Sequence, residues 1–211
     1  EKIIKANTNT IAGMVIEPIQ GQVLGIPPKG YLKDAINLCK ENKILTLVDE
    51  IKVGLGRTGK LFSFFAEDVV PDIVTISKAL GGGKRAIGAM VTSAKLSKKA
   101  YGRKKDSAIH STTFGGLGES CAVAIEALNI ISDNKFLDEV KNKGNYFSNE
   151  LDKVQKKYPK VINKIVGEGL YLGIVFNFTP FKNFVRDINI PFINDFKVIL
   201  MGSILRHLYR E

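Results

Sequence analysis

Short apolar runs alternate with amphipathic stretches along this chain, and the alternation predicts an α/β fold. Residues 10–16 read as a buried strand closed by Glu17-Pro18-Ile19-Gln20-Gly21, where proline ends the ladder. Pro27-Pro28-Lys29-Gly30 marks a turn, after which Leu32, Ala35, Ile36 and Cys39 recur at helical spacing and predict a helix over 31–42. Residues 44–48 are a continuous apolar run rich in branched side chains, the pattern of a strand buried on both faces, and 73–76 repeats it. Strand, helix, strand is a βαβ crossover, so parallel pairing of the first two strands is expected. Further on, the pattern predicts a strand at 86–92, a helix at 119–131, a lysine-rich helix at 136–158, a strand at 169–178 and a last helix at 194–209. The polar Ser132-Asp133-Asn134-Lys135 separates two apolar-periodic segments. It predicts one domain over 1–133 and the start of a second over 134–211.

Composition narrows the class. With 45% hydrophobic and 25% charged residues, the 211-residue chain is an ordinary globular protein with enough apolar content for a sizeable core. It has no apolar run of about eighteen residues, and its first residues lack the apolar core of a signal peptide, so the cytoplasm is the expected compartment. Cys39 and Cys121 fall in helix-like patterns without metal-ligand spacing and read as reduced core residues. With His110 and His207 the only histidines, no metal site is expected. The net charge of +10 raises the question of nucleic acid. The densest basic run, 95–105, carries one aromatic, Tyr101, where a single-strand binder interleaves several, so a solvated loop or helix face is expected instead.

Candidate chemistry lies at two strand ends. The run 44–48 leads into Asp49-Glu50, and 73–76 leads into Ser77-Lys78-Ala79-Leu80 followed by three glycines. In open α/β sheets ligands sit outside the carboxyl ends of the strands, which is where both groups fall. A lysine that forms a Schiff base and a carboxylate that keeps a ring nitrogen protonated are the two groups a pyridoxal phosphate enzyme needs.

Leu47-Val48-Asp49-Glu50-Ile51-Lys52 with residues 53–60, followed by 71–83, closely resembles the signature of class III (subgroup II, omega-type) aminotransferases. The similarity includes acetylornithine, ornithine, putrescine and 4-aminobutyrate members. It implies the pyridoxal-phosphate-dependent fold type I, that of aspartate aminotransferase, with most of the large domain's sheet and the start of the small C-terminal domain. It makes Lys78 the imine lysine and catalytic base, Asp49 the pyridine-nitrogen carboxylate, and Glu50, Ile51 and Lys52 further cofactor-binding positions. His110-Ser111-Thr112-Thr113-Phe114-Gly115-Gly116 is similar to the family segment in which a threonine, here Thr113, reaches the cofactor phosphate of the neighbouring subunit. A homodimer with shared active sites is thereby implied, and Thr112 matches a position close to the substrate in some members. The implied activity moves an amino group from an omega-amino acid, ornithine-like or diamine donor to a 2-oxo acid, with no nucleic-acid or membrane partner.

Several positions depart from the family pattern. Lys52 stands where glutamine is usual, Gln22 where an acid normally pairs with a substrate-gating arginine, Ala86 where proline is common, and Gly116-Leu117-Gly118 where Gly-Asn-Pro is usual. The departures point to a divergent branch. The same resemblance covers an aminomutase and a decarboxylating transaminase, and a non-catalytic scaffold is the alternative from another class. The family's earlier phosphate-binding segment and its C-terminal arginine have no counterpart here, and the sequence opens on Glu1, so an internal fragment of a longer enzyme is expected.

Overall fold

The computed structural model describes residues 1–177 apart from Thr8, Val23 and Ser107. The helix expected at 194–209 lies outside them. The described residues fall into two compact units, one of residues 1–148 with 166–173 and the other of 149–165 with 174–177.

The first unit opens with a short helix, α1 (Lys2–Ala6), and is built on a four-stranded sheet in the order β1 (Gly13–Ile16), β2 (Leu45–Asp49), β3 (Ile73–Ile76), β4 (Ala89–Thr92). The crossover helix α2 (Tyr31–Glu41) joins β1 to β2, and these strands pair in parallel from Gly13 opposite Leu45 to Ile16 opposite Val48, as the crossover requires. β3 pairs in parallel with β2, whereas β4 runs antiparallel to β3, with Ile73 opposite Thr92 and Ile76 opposite Ala89.

Parallel register puts Ile16, Val48 and Val74 side by side, and all three are buried with Leu32 and Ile36 of α2 in one core. The opposite face is more open than the continuous apolar runs suggested. Val15 is 69% exposed and Leu45 39%, so the strands are half-buried and not buried on both faces. The reason is that α2 covers one side only. Asp72 fixes the start of β3: its Oδ2 accepts from Thr46 N–H at 2.8 Å and Thr46 Oγ1 at 2.9 Å, and Thr92 Oγ1 donates to its carbonyl at 2.8 Å. One aspartate thus ties β2, β3 and β4 together.

The basic run becomes α3 (Ala94–Tyr101), capped by Ser93 Oγ accepting from Leu96 N–H, and it buries no residue. After it come α4 (Gly118–Ile131) and α5 (Asn134–Lys157). Two strands close the described chain, β5 (Ile162–Glu168) and its partner β6 (Tyr171–Phe176). β5 was not expected, because Asn163, Lys164 and Gly167 break its apolar pattern. Within the second unit, Asn177 Nδ2 donates to the carbonyls of Pro159 and Lys160 at 3.0 and 3.2 Å. Among the described residues no helix is long and apolar enough to cross a membrane.

Candidate active site

The parallel pairing of β2 and β3 brings the two predicted groups to one end of the sheet. Asp49 is in register with Thr75, and Lys78 follows three residues later. Asp49 is half-buried, and its Oδ1 accepts from Ile51 N–H at 2.9 Å, which leaves Oδ2 for another donor. The Glu50 N–H donates to the Thr75 carbonyl at 2.9 Å and extends the ladder past the last strand residue.

Lys78 leaves β3 in an unusual conformation. Its φ is +48°, in the left-handed region that disfavours residues with a Cβ, and it opens a tight 3-10 turn, Lys78–Gly81. Ser77 Oγ donates to the Ile87 carbonyl at 2.8 Å, and backbone bonds from Leu80 N–H to Ser77 and from Gly82 N–H to Ala79 close the turn. A strained backbone held by its surroundings in this way is a mark of functional positions. The side chain is exposed, and none of the ion pairs among the described residues involves it.

Glu50 points elsewhere. It is fully buried, and its Oε1 accepts from Ser63 Oγ at 2.6 Å and Phe64 N–H at 3.0 Å, while Oε2 has no partner. Burial, reinforced weakly by the Asp49 charge, pushes its carboxyl above the usual range against the pull of those bonds. Lys52 is exposed, and its Nζ donates to the Gly21 carbonyl.

Thr112 and Thr113 are exposed in the turn-rich loop 111–117, and among the described residues no hydrogen bond ties their hydroxyls to the strand ends. The Tyr101 hydroxyl and His110 Nδ1, 2.5 Å apart, hold the start of that loop to the end of α3. Sequence reasoning missed Thr75. Its Oγ1 is buried without a partner, and the register places it on the same side of the sheet as Asp49. The available signal was a lone hydroxyl in the apolar run 73–76. A cavity of about 570 Å³, lined by Phe62, Phe64, Phe65, Val70 and Val91, opens at the other end of β3, away from this chemistry.

The profile of the family described as "Aminotransferase class-III" matches residues 1–190. The chain belongs to this family. Among the class III aminotransferases it is 41% identical over 175 residues to the ornithine aminotransferase of Geobacillus sp. (strain WCH70), a match covering 82% of this chain and 42% of that protein. It is 40% identical over 170 residues to the aminotransferase PigE of Serratia sp. (strain ATCC 39006), covering 80% of this chain and 20% of the other. The acetylornithine aminotransferase from Elizabethkingia anophelis superimposes with a TM-score of 0.79 at 34% identity, over 88% of this chain and 45% of that one. The fold is therefore that of the class III enzymes. The chain spans less than half the length of each of these three proteins.

Proposed function

We propose that this chain is part of a pyridoxal-phosphate-dependent transaminase that moves an amino group from an ornithine-like, omega-amino acid or diamine donor to a 2-oxo acid. The observation that carries this reading is Lys78, exposed in a left-handed turn at the end of β3, beside the half-buried Asp49 at the end of β2. The names of the relatives support ornithine-like donors.

The residues present suit the cofactor: among the described residues Asp49 Oδ2 is available, Lys78 is not ion-paired, and the orphaned Thr75 hydroxyl lies on the same side. When bound, pyridoxal phosphate supplies an aldehyde carbon for amines and a ring that accepts an electron pair. Asp49 holds the proton on the ring nitrogen. Lys78 Nζ would hold the cofactor through its aldehyde carbon, and its free amine would move a proton at the substrate carbon as general base. Thr113 would hold the cofactor phosphate of a second subunit in a homodimer. Residues 1–133 form the cofactor-binding portion and 134–211 the start of the smaller domain, in a cytoplasmic enzyme.

Separated half-reactions test the activity. The intact protein, loaded with pyridoxal phosphate, should change its visible absorption on adding ornithine alone and regain it on adding a 2-oxo acid, with no carbon dioxide released. Carbon dioxide release would assign the decarboxylating reaction, and no response to any primary amine would overturn the reading.

A further inference from the structure

Gly21 stands at a junction beside the site. Its carbonyl oxygen accepts two donors, Lys52 Nζ and the Tyr171 hydroxyl, the latter at 2.9 Å, and its N–H donates to Glu17 Oε2 at 2.7 Å. A carbonyl has two lone pairs, so both donors are served at once, and the ammonium makes its bond charge-assisted. Three segments are joined here: the loop after β1, the turn after β2, and β6. Two of them flank Asp49. Ile16 pairs with Val48, so Glu17 continues alongside Asp49, and Lys52 lies three residues beyond that carboxylate.

Space reinforces the arrangement. Gly21 is buried, and a Cβ there would lie 2.6 Å from Lys52 Cδ and 2.9 Å from Glu17 Oε2. Both atoms belong to flexible side chains. Alanine at this position therefore fits only by pushing away the two groups that hold the residue.

We propose that Lys52 is a positioning residue. Its ammonium, shared with Tyr171 on the Gly21 carbonyl, fixes the loop after β1 as a wall beside Asp49 and takes no part in imine formation. The inference rests on the reading of Asp49 and Lys78 as the cofactor-holding pair. A second lysine so near Asp49 would otherwise be a rival for the cofactor aldehyde, but its nitrogen is engaged on the Gly21 carbonyl.

Hydrogen–deuterium exchange of the intact protein without cofactor reads the loop directly, independent of any chemistry. Amides of residues 17 and 19–22 should exchange about tenfold faster in Lys52→Met and in Gly21→Ala, the scale for losing one charge-assisted bond. Tyr171→Phe should show a smaller rise, and Lys52→Arg should restore protection, with amides of β2 and β3 unchanged in all as the control for folding. Equal protection of these amides in wild type, Lys52→Met and Tyr171→Phe would overturn the proposal. With pyridoxal phosphate added and the imine reduced by borohydride, wild type and Lys52→Met should both carry the label on Lys78, Lys52→Met with the weaker cofactor affinity. Label on Lys52 in wild type would also overturn it. Label on no lysine would sink the cofactor reading, and the exchange comparison would still decide what Lys52 does to the loop.

Discussion

Asp49 and Glu50 are neighbours in sequence with opposite surroundings. Asp49 keeps an oxygen free at the strand end, while Glu50 is buried against Ser63 and Phe64 with one oxygen unpartnered. Because burial raises the Glu50 pKa above its ordinary 4.5, the folded state holds that proton more tightly than the unfolded chain does. The sign follows: the stabilisation is complete below the unfolded value and is lost as pH rises through the folded one. Glu50→Gln should therefore abolish a decline in stability that wild type shows above about pH 4.5. Urea unfolding across that range checks it, and parallel pH profiles for the two proteins would contradict it. Lys78 makes a second residue-scale prediction. Its left-handed φ strains any side chain, so apo Lys78→Gly should be more stable than apo Lys78→Ala by about 1 kcal/mol, although both lack the amine. Equal denaturation midpoints would remove strain from the account of this turn.

Elements differ in how plainly the sequence announces them. β2, β3 and α2 were legible because branched apolar runs and helical spacing are local signals, and the parallel crossover followed from their order. The one-sided burial of the sheet was not legible, since Val15 and Leu45 look like core residues until the covering helix is seen to occupy one face. β5 escaped because polar and glycine positions interrupt it. Asp49 and Lys78 stood out as strand-end residues. The Gly21 carbonyl, by contrast, draws donors from residues 52 and 171, and no local pattern encodes a contact across that separation. The Asp72 clamp is equally non-local and gives an element-scale prediction. Asp72→Ala leaves the buried Thr46 N–H and hydroxyl without their acceptor, which should destabilise the protein by about 1–3 kcal/mol. Chemical denaturation measures this, and a change under a few tenths of a kcal/mol would mean that β2 and β3 hold register without the clamp.

At the scale of the whole molecule, the proposed reading assigns Thr113, on an exposed loop, to the cofactor phosphate of a second subunit. If Thr113 donates to a phosphate held by the other chain, cofactor binding and dimerisation strengthen each other by the same factor. Thr113→Val should then weaken cofactor affinity by about 1–3 kcal/mol and reduce the dimerisation that added cofactor promotes. Sedimentation with and without pyridoxal phosphate measures both, and a dilute monomer that binds cofactor as well as the dimer would contradict the cross-subunit role. The central claim, that the ends of β2 and β3 form an imine site, is tested most directly by one covalent measurement. The intact protein is incubated with pyridoxal phosphate, reduced with borohydride, digested and mapped by mass spectrometry. The account predicts a single pyridoxyl adduct on Lys78, and an adduct on any other lysine, or on none, would contradict it.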